Sequence, residues 1–137
     1  MLLLLFFWTT HAINCTDPWQ TFTIPAWSME CEKCDGIIRG GATPTMIVAR
    51  IQSQDVDGSH FLMSAGYSYG ETNWCDQSTY APQISLDCGT LSVGQGCNLQ
   101  TTIQNSGLPS YYYPMVAVMC DNWSSPCNFL LTIYWQQ

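Results

Sequence analysis

Asp57, Ser59 and His60 bring together, in the segment QDVDGSH, the side-chain types of an acid, a nucleophile and a base. Such a set cleaves esters or amides when the imidazole takes the hydroxyl proton. Neighbours in an extended segment point to opposite faces, so Ser59 and His60 are poorly placed to share that proton. The letters G-x-S-x-G do occur at Gly66, Ser68 and Gly70, but inside a strand-like run with no helix pattern after it, whereas a nucleophile elbow is a sharp strand-to-helix turn. Bases are scarce: His60 is accompanied only by His11, in an apolar N-terminal stretch, and Lys33 is the sole lysine. Asp76, Asp87 and Asp121 are carboxylates that a glycosidase could pair across a sugar, yet nothing in their spacing draws them together. The chain is therefore expected to be non-catalytic.

The same segment raises a second chemistry. Asp55 and Asp57 flank a turn before Gly58, and hard carboxylate oxygens are what calcium requires. The third Asp and terminal Glu of an EF-hand are missing. What remains is a single calcium completed by backbone carbonyls, or an Asp-Gly turn that tightens a hairpin. No other cofactor is expected.

Cys31 and Cys34 form a CxxC. A redox pair of the thioredoxin kind needs a helix beginning at the motif, whereas DGIIRGG reads as turn and strand. A zinc site needs a second pair at matching spacing, and the chain has none. The start of the chain favours disulfides instead. MLLLLFFW is a short apolar block followed by THA, the pattern of a secretory signal peptide, with cleavage placed after Ala12. The block is well below the roughly 20 residues that cross a bilayer. Residues 1–12 are thus read as a leader and 13–137 as one secreted, extracellular domain.

All eight cysteines, Cys15, Cys31, Cys34, Cys75, Cys88, Cys97, Cys120 and Cys127, remain after cleavage and are read as four disulfides. Cys120 with Cys127 is the first expected pair, because CDNWSSPC is a turn-rich stretch joining two apolar runs, a stapled hairpin. Cys75 with Cys88 is the second, leaving Cys97 to reach back to Cys15, Cys31 or Cys34. Asn122 and Asn14 head the two N-glycosylation sequons, NWS and NCT.

Lys33, Arg39 and Arg50 are the only Lys or Arg residues, against ten Asp and Glu, giving a net charge of −7. Such a surface cannot neutralise a phosphate backbone or an anionic lipid sheet, so nucleic acid and membrane partners are excluded. Charged residues make up 9% of the chain and aromatic residues 13%, so hydroxyls, amides and rings must form much of the solvent face. That composition suits a neutral glycan or an extracellular protein. Trp27, Trp74, Tyr67 and Tyr69 are the candidate ligand-binding rings, being in or beside loops; each could instead be packed in a core.

What would hold these residues is β-structure. Strand patterns recur at 20–24, 36–39, 45–52, 60–69, 83–87, 98–104, 111–119 and 128–135, separated by Gly, Pro, Ser, Asn and Asp clusters. In the last of these, Phe129, Leu131, Ile133 and Trp135 share one face, with Leu130, Thr132 and Tyr134 on the other. Ile47, Ala49 and Ile51 alternate in the same way with Val48, Arg50 and Gln52. The expected fold is all-β, an antiparallel β-sandwich or jelly roll laced by disulfides.

From about residue 45 to 135 the chain resembles the bacterial pre-peptidase C-terminal domain. The resemblance rests on QDVDG opening a strand, FLMSAGYSYGETNWC ending at a cysteine, a second cysteine at Cys88, and the closing YYYPMVAVMCDNWSSPCNFLLTIYW. It implies that Asp55 and Asp57 match an Asp-x-Asp, and that 111–119 and 128–135 form a final hairpin. It further implies a small jelly-roll-like accessory domain without catalytic activity, of a kind that in some members binds insoluble polymers. The chain departs from the family in standing alone, without a catalytic domain, and in its added cysteines. Two functions follow as expectations: a secreted glycoprotein binding module for extracellular glycan, polymer or protein, and a structural subunit assembling as a homo-oligomer in a coat, matrix or filament. Low charge and pairable strand edges motivate the second.

Overall fold

The computed structural model describes residues 15, 18–69, 75, 80–121 and 126–137. The proposed leader, both sequon asparagines, Trp74 and Asp76 lie outside the described residues. Nine strands run in chain order: β1 Gln20–Ile24, β2 Met29–Lys33, β3 Ile38–Arg39, β4 Thr45–Ser53, β5 Ser59–Ser68, β6 Tyr80–Leu91, β7 Gly96–Ile103, β8 Tyr111–Cys120 and β9 Cys127–Gln136. They form an antiparallel sheet ordered β1-β9-β4-β7 and a second ordered β2-β8-β5-β6, with the short β3 also pairing β8. Setting β3 aside, this is the eight-stranded double-sheet order of a jelly roll.

Alternation in the sequence explains the packing. Ile47, Ala49 and Ile51 of β4, Phe61, Met63 and Ala65 of β5, Val116 and Val118 of β8, and Phe129, Leu131 and Ile133 of β9 form the buried layer between the sheets. Phe129 ties the layers together, edge-on to Phe61 at 5.6 Å and stacked on Phe22 at 5.5 Å between ring centroids. Full burial of each Ile, Leu, Val, Met or Phe in this layer contributes about 1.5–3 kcal/mol. At the far end Tyr112, fully buried, donates its hydroxyl to Asn105 Oδ1 at 2.7 Å. Trp135 closes the same side at its partly buried inner position, beside Gly36.

Four of the sequence expectations change. The run after Cys120 is no hairpin: β8 belongs to one sheet and β9 to the other, so the Cys120–Cys127 bridge joins the sheets. The Asp-Gly turn likewise carries the chain from β4 across to β5 in the opposite sheet. β2 is an added strand, and β6 begins earlier and ends later than expected.

That longer β6 also overturns the second disulfide expectation. From Tyr80 to Cys88 an extended chain covers roughly 26 Å at about 3.3 Å per residue, so Cys88 is carried far from Cys75. Cys88 bonds Cys97 instead, lacing β6 to β7 across the sheets, and Cys97 does not reach back. Cys75 bonds Cys31, and Cys34 bonds Cys15. The two CxxC sulfurs therefore serve separate structural bridges.

Candidate functional site

The outward residues of the four-stranded sheet follow from its register. Across it, Thr102, Met46 and Gln136 form one row; Gln100, Val48 and Tyr134 the next; Asn98, Arg50 and Thr132 the third; Gly96, Gln52, Leu130 and Thr21 the fourth. Their inward neighbours Ile47, Ala49, Ile51, Leu99, Leu131 and Ile133 are buried, which forces this set to solvent. Met46, Val48, Arg50, Thr132 and Tyr134 line a shallow depression of about 390 Å³.

Tyr134 is 42% exposed, and its hydroxyl donates to Gln136 Oε1 at 2.7 Å. Gln52 Nε2 donates to Gly94 O at 3.2 Å, holding its amide at the rim. Trp19, two residues before Thr21 and 45% exposed, continues the outer row toward Thr132. A ring in this setting offers an apolar plate, and the surrounding amides and hydroxyls both donate and accept hydrogen bonds. These are the groups that match a polyhydroxylated, uncharged ligand.

The rings singled out in the sequence are placed elsewhere. Trp27 is half exposed in the turn before β2, with a φ of 61°, and Ser28 N–H donates to Pro25 O at 3.1 Å to close that turn. Tyr67 is half-buried against the core, edge-on to Tyr112 at 5.2 Å and stacked on Tyr69 at 6.3 Å. It acts as a cap on the core, with Tyr69 exposed above it. Trp27 adjoins Met29, which faces Met119 at one end of β8, whereas Tyr67 faces Pro114 near the other. They do not form one platform. Tyr134 and Trp19 were missed, although the alternation of β9 already placed Tyr134 on the outer face.

Asp55 has a structural role in the turn before β5. Its carboxylate accepts Asn128 N–H at 3.1 Å, Asn128 Nδ2 at 2.8 Å and Ser59 Oγ at 2.6 Å. Asp57 is exposed on the same turn. Among the described residues no group of three or more His, Cys, Asp or Glu is placed to hold a metal ion.

His60 is turned away from Ser59, which is buried. Its Nε2 lies 2.6 Å from Asp87 Oδ1 and its Nδ1 3.0 Å from Asp121 Oδ2. Two of the three separated carboxylates thus meet, through the imidazole. Each carboxylate can only accept, so the contacts require a doubly protonated ring. The hydrogen bond to Asp87 chiefly raises the His60 pKa above its ordinary value, and the bond to Asp121 adds to it. The Asp87 carboxyl is held below its usual range, first by His60 and then by the Gly89 N–H, 2.8 Å away. In this form neither ring nitrogen has a lone pair for a substrate proton.

On β2 the side chains of Glu30 and Glu32 share the parity of the inward Val118 and Val116. Glu32 is buried, and desolvation, then the hydrogen bond and charge of Glu30, push its pKa up to about 8. Lys33, also buried, stacks its ammonium 4.0 Å from the Tyr113 ring centre.

Comparison with protein-family models, curated proteins and solved structures finds no match to this chain.

Proposed function

We propose that the protein is a secreted, non-catalytic binding module that recognises a neutral glycan on the outer face of its four-stranded sheet. One observation carries the reading: Tyr134 stands exposed beside a shallow depression, within a field of amides and hydroxyls supplied by Gln52, Asn98, Gln100, Thr102 and Thr132. A surface so poor in cations has little to offer a phosphate or sulfate polymer. Four disulfides are compatible with an extracellular setting, and among the described residues no helix is long and apolar enough to cross a membrane. The resemblance to the pre-peptidase C-terminal domain implies an accessory role of the same kind, a contact surface.

The test is a glycan array combined with pull-downs on chitin, cellulose and collagen. Retention on an uncharged glycan, lost in Tyr134→Ala, is expected. Retention on collagen alone would move the reading to a protein partner, and failure to bind anything would reject it. Self-assembly ranks lower: of the end strands β1, β7, β2 and β6, the longest, β6, carries Pro82 and two register shifts, features that blunt edge-to-edge pairing.

A further inference from the structure

His60 sits where three parts of the second sheet meet. Its own strand is β5; Asp87 comes from the edge strand β6, and Asp121 follows directly on the end of β8. The Asp87 end is a β-bulge. Phe61 pairs with Gly89 and Leu62 with Asp87, so Cys88 is the extra residue. Gly89 has a φ of 73°, a left-handed conformation that glycine accepts without strain. Asp87 Oδ1 takes both the Gly89 N–H and the His60 ring, and the bulged Cys88 is bonded to Cys97 in the other sheet. At the Asp121 end, the Asp121 N–H also donates to His60 O at 2.9 Å.

We propose that His60 is a proton-operated clip: doubly protonated, it ties the bulge of β6 to the end of β8, and loss of its Nδ1 proton releases Asp121 while Asp87 stays bound. The asymmetry comes from the geometry. The Asp87 contact is the shorter, 2.6 Å against 3.0 Å, so the last ring proton stays on Nε2. The neutral Nδ1 then turns a lone pair toward the Asp121 carboxylate, and attraction becomes repulsion. Among the described residues of β6 and of the end of β8, Asp87 and Asp121 are the carboxylates facing the ring. On the turn before β5, Asp55 is engaged by Asn128 and Ser59. Because the bound ring titrates above its ordinary value, the clip is closed in mild acid and opens as pH rises through the folded-state value.

The test is nitrogen NMR of the imidazole in the His11→Gln background, which leaves His60 as the one histidine. Both ring nitrogens are expected to be protonated in mild acid. On raising the pH, Nδ1 should lose its proton while Nε2 keeps it, and the Asp121 amide signal should move with the same midpoint. Asp121→Asn should lower that midpoint, and His60→Gln should abolish the movement of the Asp121 amide. Deprotonation at Nε2 first, or a midpoint indifferent to Asp121→Asn with a stationary Asp121 amide, would overturn the proposal. If His60→Gln fails to fold, the Asp121→Asn midpoint decides alone.

Discussion

Cys120 and Cys127 are bonded across the two sheets, with Cα atoms 6.2 Å apart, although they close one short loop of sequence. The bridge therefore fixes how the end of β8 sits over the start of β9. Replacing both by serine removes the link without leaving a lone thiol. A loss of roughly 2–3 kcal/mol is expected on the chain-entropy account, read as a lower midpoint in urea. An unchanged midpoint would show that the sheets are held without it.

Glu32 gives the pH dependence of stability a defined sign. Its folded-state value of about 8 lies above the ordinary 4.5, so the native state holds a proton that the unfolded chain has released. Stability then falls as pH rises between those values. Glu32→Gln should be more stable than the parent near pH 8, with the difference shrinking as pH falls toward 4.5. Thermal melts across that range check it; parallel curves would contradict the burial argument.

His60 works in the same direction at higher pH. Its raised value means that its contribution is complete below about 6.5 and is lost as pH climbs through the folded-state value. Asp87, lowered, adds a contribution that disappears only in strong acid. Together with Glu32, these groups place the stability maximum on the acid side of neutrality. Melting curves of His60→Gln should fall less steeply above about pH 6.5 than those of the parent, keeping the part of the fall that Glu32 causes.

Gly36 carries a φ of 147°, and a β-carbon there would lie 2.5 Å from the Trp135 ring. Gly36→Ala must both strain the backbone and displace Trp135 from the edge of the core. A loss of more than about 1 kcal/mol is expected, with a change in Trp fluorescence that a purely local backbone effect would not give.

Tyr112→Phe isolates one buried hydrogen bond. It keeps the ring and removes the hydroxyl that donates to Asn105 Oδ1. The expected loss is about 1–2 kcal/mol, measured by urea denaturation with the slope unchanged.

The strands that were legible are those whose apolar residues face inward in strict alternation, such as Ile47, Ala49 and Ile51 or Phe129, Leu131 and Ile133. β2 was not, because MECEK inverts the pattern: Glu30 and Glu32 share the inward parity while Met29 and Cys31 face the other way. The bridges were legible in number but mostly not in partner. Cys88 finds Cys97 only because a bulge and a change of sheet bring them together, and sequence spacing does not encode which sheet a strand joins. The same holds for the clip, whose Asp87 and Asp121 lie 27 and 61 positions from His60. Tyr134 was readable from parity, but rings in or beside loops favoured Trp27, Tyr67 and Tyr69, and the fold sets Trp27 apart from the stacked Tyr67 and Tyr69.

The central claim is that the Tyr134 face makes the contact. Its most direct test is calorimetric titration of the glycan selected by the array against the parent, Tyr134→Ala and Tyr69→Ala. A weakening of at least about tenfold, roughly 1.4 kcal/mol, is expected for Tyr134→Ala, with Tyr69→Ala binding like the parent. Full affinity in Tyr134→Ala, or a loss confined to Tyr69→Ala, would contradict the account.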